Sequence, residues 1–319
     1  MPAASRMDRM GTEAAFRVLA RARALEAEGR DVIHLEMGEP DFATPSHIVE
    51  AAVDALRDGR TGYAPAAGIP ALREAIADDV AATRGIDVDP KQVVVCPGGK
   101  PVIFYTLLAL VEAGDEVAYP DPGFPIFQSM TDALGGRRLP YHPGSGAGHR
   151  PDLERLAASI TDRTRLLVLN SPGNPTGVVF SREELAFIAD LCRERDLYVL
   201  SDEIYSRILF GREHESIASL EGMQERTVIL DGFSKTYSMT GWRLGYAVAP
   251  PELAPVYEKL MTNSNSCAVH FVQHAALAAL KGSQEPVRAM VAEFEARRDA
   301  LVDGLESVPG VVCDRPEGS

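Results

Sequence analysis

Between about residue 90 and residue 250 the chain alternates short, β-branched apolar runs with longer stretches whose apolar residues recur at helical spacing. Short runs bounded by turn formers read as strands, and strands separated by helices read as βαβ units feeding a mainly parallel sheet. The runs at 92–96, 116–119, 137–141, 165–170, 198–202, 227–232 and 245–249 predict seven strands. Helices are predicted over 100–113 and 182–195, the second opened by Ser181 as N-cap with Glu184 completing a capping box. Helices so spaced cover the sheet. The predicted fold is α/β, with a mainly parallel, seven-stranded mixed sheet and helices on both faces.

At 319 residues the chain exceeds the size at which one hydrophobic core stops growing, which predicts a large domain and a smaller one. Residues 1–47 are read as an arm and small-domain segment, 48–280 as the large domain, and 281–319 as the start of a C-terminal small-domain segment. Two domains create a cleft. No apolar run approaches the roughly 20 residues of a membrane span, so no membrane partner is expected. A formal charge of −14 argues against nucleic acid, which is bound through clustered cations. The four cysteines form no C-x-x-C pair, so neither a metal site nor a disulfide framework is suggested, and reduced thiols are expected. Arg6, Asp8 and Arg9 are followed by no apolar signal-peptide core, which points to a cytoplasmic protein. The loop from Pro143 to Gly148 is a low-complexity connection that carries no inference.

In open α/β sheets ligands sit outside the carboxyl ends of the strands. Three such ends carry unusual residues here: Asp202, the turn beginning at Ser171, and the pair Ser234 and Lys235. The segment SKTYSMTGWRLGY, residues 234–246, places a lysine after a strand and Arg243 eight positions later. A lysine amine serves covalent catalysis when its proton can leave near neutral pH, and the planar donor fork of arginine suits a phosphate. NSPGNPTG, residues 170–177, is a tightly specified turn, and SDEIYSRILF, residues 201–210, ends a strand with an acid. Taken alone, Asp202 is as well explained as a helix N-cap. PGGK, residues 97–100, lies where a strand gives way to a helix, the geometry that offers free amides to an anion.

Together these segments resemble the class I and II aminotransferases, the large family that includes aspartate aminotransferase, and the resemblance runs along essentially the whole chain. It implies a smaller α/β domain built from both chain ends, and the cofactor pyridoxal 5'-phosphate, held by Lys235 as a Schiff base, with Arg243 on its phosphate. It assigns Asp202 to the pyridinium nitrogen, where a retained proton draws electrons from the substrate α-carbon. Asn174 and Tyr205 are assigned to the phenolic oxygen, with a cis bond between Asn174 and Pro175. Gly99 and Lys100 are backbone donors to the phosphate, Ser234 lies beside it, and Phe124 stacks on the ring. Gly38, in LEMGEPDF, lines the substrate side together with Asn174. Tyr63 reaches the phosphate of a neighbouring subunit, which implies a homodimer with shared sites.

The resemblance implies a ping-pong exchange of an amino group between an L-amino acid and a 2-oxo acid, with Lys235 moving the α-proton and Lys235, Asp202 and Tyr205 as the catalytic set. A carbon–sulfur β-lyase or related eliminating enzyme is the alternative on the same apparatus. A regulator that senses the cofactor is disfavoured by the acidic chain and by the short stretch before LEMGEPDF. Departures are few. Gly232 stands where some members place a serine, and Phe127 where a hydroxylated aromatic is frequent. The family's small domain is expected to continue past PEGS, residues 316–319, and its substrate-carboxylate arginine with it, so no residue is assigned that role.

Overall fold

The computed structural model describes residues 3–144 and 148–319, so residues 145–147 of the predicted Pro143–Gly148 connection lie outside the described residues. The sheet comprises β1 (Val93–Cys96), β2 (Glu116–Pro120), β3 (Arg137–Tyr141), β4 (Thr164–Asn170), β5 (Tyr198–Asp202), β6 (Thr227–Gly232) and β7 (Gly245–Val248). Every predicted strand is present, to within one residue at either end. The order across the sheet is β1-β7-β6-β5-β4-β2-β3. Strands β2 to β6 run parallel to one another, and β7 is antiparallel to both β1 and β6.

The helices are α1 (Arg6–Arg9), α2 (Ala14–Ala27), α3 (Ser46–Arg57), α4 (Pro70–Arg84), α5 (Lys100–Leu110) and α6 (Ile126–Leu134). They continue with α7 (Leu153–Ser159), α8 (Arg182–Glu194), α9 (Ala254–Asn265), α10 (His270–Lys281) and α11 (Glu285–Glu306). Helix α5 ends three residues before its predicted limit, because Val111 turns to extended backbone and the Asp115 side chain captures the Glu112 amide at 2.9 Å. The capping box of α8 is present, with the Ser181 side chain on the Glu184 amide and the Glu184 side chain on the Ser181 amide.

Strand alternation explains why both faces are covered. In β4, Leu166 and Val168 enter one apolar cluster while Leu167 and Leu169 enter the other. The first cluster joins the sheet to α3, α4, α5, α9 and α10, and the second joins it to α7 and α8. A strand buried on both sides therefore carries an unbroken apolar run. At roughly 1.5–3 kcal/mol for each large aliphatic side chain fully buried, β4 is a principal anchor of the fold.

The chain ends contribute α1, α2 and α11 and an isolated bridge between Leu209 and Gly318. They meet where Phe42 packs edge-on against Phe294, with ring centroids 5.3 Å apart, and Arg297 bonds Asp41 at 2.9 Å. Cys96 and Cys192 are buried thiols, whereas Cys267 and Cys313 are half-buried. Among the described residues no helix is long and apolar enough to cross a membrane.

Candidate active site

A cavity of about 1010 Å³ opens at the carboxyl ends of β4, β5 and β6, between the start of α5 and residues 36–40. Of the residues that sequence points to, Gly38, Gly99, Lys100, Phe124, Asn174, Asp202, Tyr205, Ser234, Lys235 and Arg243 all line it. Tyr63 lies elsewhere, 88% exposed.

Lys235 follows β6 after three residues, and its ammonium donates to the Gly38 carbonyl. It lies 5.8 Å from the centre of the Tyr205 ring. Burial pushes its pKa below the ordinary lysine range, Glu39 opposes the shift, and the charges of Arg243 and Lys100 reinforce it. A lysine so placed gives up its proton more readily than one on the surface.

Asp202 ends β5 with its side chain on the cavity face. It is buried, and its carboxylate accepts from the Ile204 amide at 3.3 Å. Burial pushes its carboxyl up to about 7, and the negative charges of Asp231 and Glu203 add to the effect. Among the described residues no cation pairs with it. The Asn170 side chain ties the neighbouring turn to this strand end: its Nδ2 donates to the Asp202 carbonyl at 3.2 Å and its Oδ1 accepts from the Asn174 backbone amide at 2.7 Å. The bonds before Pro172 and Pro175 are both cis, the second as expected. The Tyr205 phenol is pushed up to about 12 by burial and by Asp202, while hydrogen bonds with Ser319 and Asn174 work the other way. It is a donor at neutral pH.

The other end of the cavity is built on close backbone approach. Gly98 sits at φ +95°, and a Cβ there would clash with the Arg243 guanidinium. A Cβ at Gly245 would come within 2.9 Å of the Gly98 carbonyl carbon and 3.0 Å of the Gly99 nitrogen. These two glycines let β7 and Arg243 close against the turn that opens α5, whose first amides lack partners within the helix. The Arg243 guanidinium also donates to the Thr240 carbonyl at 2.8 Å. Lys100 contributes more than the expected backbone amide. Its ammonium pairs with Glu13 and lies 5.6 and 5.5 Å from the ring centres of Phe16 and Phe124.

Sequence reasoning missed that arm, Glu13 to Phe16, because nothing in its pattern ties it to a distant strand end. It also missed the groups behind Asp202. Glu203 points to the opposite face of the sheet, where Arg84 bonds it at 3.0 Å and also pairs with Asp231. The acidic pair Asp202–Glu203 at a strand end was the available signal, since alternation sends consecutive side chains to opposite faces.

Residues 30–319 match the family model described as aminotransferase class I and II. The chain belongs to the class I and II aminotransferases. It is 38% identical over 322 residues to an aspartate aminotransferase of Geobacillus stearothermophilus, covering 100% of this chain and 82% of that one. An arginine–pyruvate transaminase of Pseudomonas aeruginosa is 39% identical, with coverage of 96% and 78%. The structure of an aspartate aminotransferase from Thermus thermophilus with maleate superposes with a TM-score of 0.94 at 38% identity, over 100% of this chain and 83% of that one. This protein is accordingly a transaminase, and pyridoxal 5'-phosphate is the cofactor on which its family depends. These relatives favour transamination over the eliminating and regulatory alternatives. The transaminase's cavity fits that cofactor: a buried carboxylate without a cation suits a protonated ring nitrogen, and an arginine at a glycine-lined helix start suits a phosphate.

Proposed function

We propose that Lys235 binds pyridoxal 5'-phosphate covalently and then carries the substrate α-proton, in a homodimeric cytoplasmic transaminase acting on an L-amino acid and a 2-oxo acid. The observation that carries this is the convergence of Lys235, Asp202, Asn174 and Arg243 on one cavity from three separate stretches of chain, 170–177, 201–210 and 234–246. When bound, the cofactor supplies an electron sink for charge developed at the substrate α-carbon.

The chain's own residues divide the remaining work. Asp202 holds the ring nitrogen protonated, and Asn174 and Tyr205 donate to the phenolic oxygen. Gly99, Lys100, Ser234 and Arg243 hold the phosphate, Phe124 stacks on the ring, and Gly38 lines the substrate side with Asn174. Lys235 must be a neutral amine to accept a proton, and its lowered pKa supports that role. Tyr63 serves the partner's site, a role supported by its 88% exposure within one chain. In this account residues 1–47 and 281–319 frame the cleft against a cofactor-binding body, 48–280.

The relatives' names span an acidic and a basic amino donor, so a donor panel is the informative test. Enzyme is supplied with aspartate, glutamate, arginine, alanine and phenylalanine, each with 2-oxoglutarate, oxaloacetate or pyruvate. The expected result is a 2-oxo acid from the donor in equal amount to amino acid from the acceptor. Ammonia release from a β-substituted amino acid without any acceptor, and no amino transfer, would contradict it.

A further inference from the structure

We propose that Glu203, locked in a buried ion cluster with Arg84 and Asp231, is the positioning residue that aims Asp202 at the cofactor's ring nitrogen. The inference rests on the role given above to Asp202 and extends it to residues outside the cavity.

Asp202 and Glu203 are consecutive at the end of β5, and alternation sends them to opposite faces of the sheet. Asp202 faces the cavity together with Leu230, its register partner on β6. Glu203 faces away, on the same side as Ser201, whose hydroxyl donates to it at 2.9 Å, and as Asp231. Its backbone amide donates to the Leu230 carbonyl at 2.8 Å, so β5 and β6 stay paired one residue beyond Asp202. The Glu203 side chain thus fixes the segment on which the Asp202 carboxylate is carried.

The cluster that holds Glu203 is buried and densely hydrogen-bonded. Arg84, at the end of α4, has a side chain 1% exposed, as does Glu203. Arg84 bonds Glu203 at 3.0 Å and Ser206 at 3.0 Å, and pairs with Asp231. Ser206 in turn donates to Asp231 at 3.1 Å. The Glu203 oxygen that meets Arg84 also has His214 Nε2 at 2.9 Å, and the other oxygen, which accepts from Ser201, receives the Ser216 hydroxyl at 2.5 Å. Every carboxylate oxygen of Glu203 is therefore engaged, and rotation of its side chain would abandon several bonds at once.

A fold-stabilising ion pair needs no particular neighbour. This one places two carboxylates behind a third that has no cation of its own, and their negative charge raises the proton affinity of Asp202. Position and field act toward the same end, a strong, fixed acceptor for a ring N–H.

The experiment compares the affinity of apoprotein for pyridoxal 5'-phosphate with that for its 1-deaza analogue, in which a C–H replaces the ring nitrogen. Both keep the aldehyde and the phosphate, so the ratio of the two dissociation constants, from equilibrium dialysis, isolates the contact to Asp202. Asp202→Asn is expected to abolish the preference for the natural cofactor. Glu203→Gln is expected to cut it about ten-fold while leaving affinity for the analogue unchanged. Equal losses for both ligands, or no loss for either, in Glu203→Gln would make Glu203 a structural residue only and overturn the inference. If Asp202→Asn itself leaves the ratio unchanged, the role of Asp202 fails and takes the inference with it. Should Glu203→Gln not fold by circular dichroism, Ser216→Ala removes one bond to Glu203 and should lower the ratio by about three-fold. An unchanged ratio in that variant would also overturn the inference.

Discussion

At the scale of residues, Asp202 and Glu203 show how strongly surroundings outweigh residue type. Burial with like charges nearby pushes the first up to about 7. The second is buried too, yet His214 and Arg84 hold it down to about 2. The signs for stability follow from which state binds the proton more tightly. Glu203 contributes stability that is complete above its ordinary value of 4.5 and is lost as pH falls toward about 2. Asp202 acts in reverse: the folded chain keeps its proton longer, so stability declines as pH rises from 3.8 through about 7. Cofactor-free Asp202→Asn should therefore exceed wild type in stability at about pH 8 by a few kcal/mol, with the gap closing toward about pH 4. Urea midpoints at the two pH values measure this, and a gap independent of pH would refute it. Lys235, Asp202, Asn174 and Arg243 were legible because each stands in a distinctive local string. Arg84 was not: its partners lie 119 and 147 residues away, and its own helix gives no sign of them.

At the scale of elements, the strands were legible because burial on two faces leaves an apolar run that turn formers interrupt. The start of α8 was legible for a different reason, a reciprocal pair of short-range bonds written into Ser181 and Glu184. Replacing Ser181 by Ala should cost about 1 kcal/mol in denaturant unfolding, and a change below about 0.2 kcal/mol would show that the box is ornamental. The end of α5 was less legible, since apolar residues continue past the point where Asp115 turns the chain. The turn before α5 yields a second prediction. Gly98→Ala would set a methyl against Arg243 in a left-handed backbone, so cofactor affinity should fall at least about ten-fold if Arg243 holds the phosphate as proposed, because the displacement would remove a charged contact. Equilibrium dialysis that finds wild-type affinity would mean that the Arg243 contact is dispensable.

At the scale of the whole molecule, a seven-stranded mixed sheet under two apolar clusters brings residues from distant segments to one cavity. That convergence follows from topology, which the alternation of strands and helices already encoded. What lies between subunits has no periodic signature, and Tyr63 entered only through resemblance. Its assignment predicts complementation. Tyr63→Ala and Lys235→Ala should each be impaired alone, yet mixed under conditions that exchange subunits they should recover about a quarter of wild-type activity, from the one intact site in each mixed dimer. No recovery, with subunit exchange demonstrated, would place Tyr63 outside a shared site. The most direct test of the whole account is borohydride reduction of the holoenzyme followed by peptide mapping. The account predicts a single pyridoxyl adduct on the ε-nitrogen of Lys235; an adduct on any other lysine, or none, would contradict it.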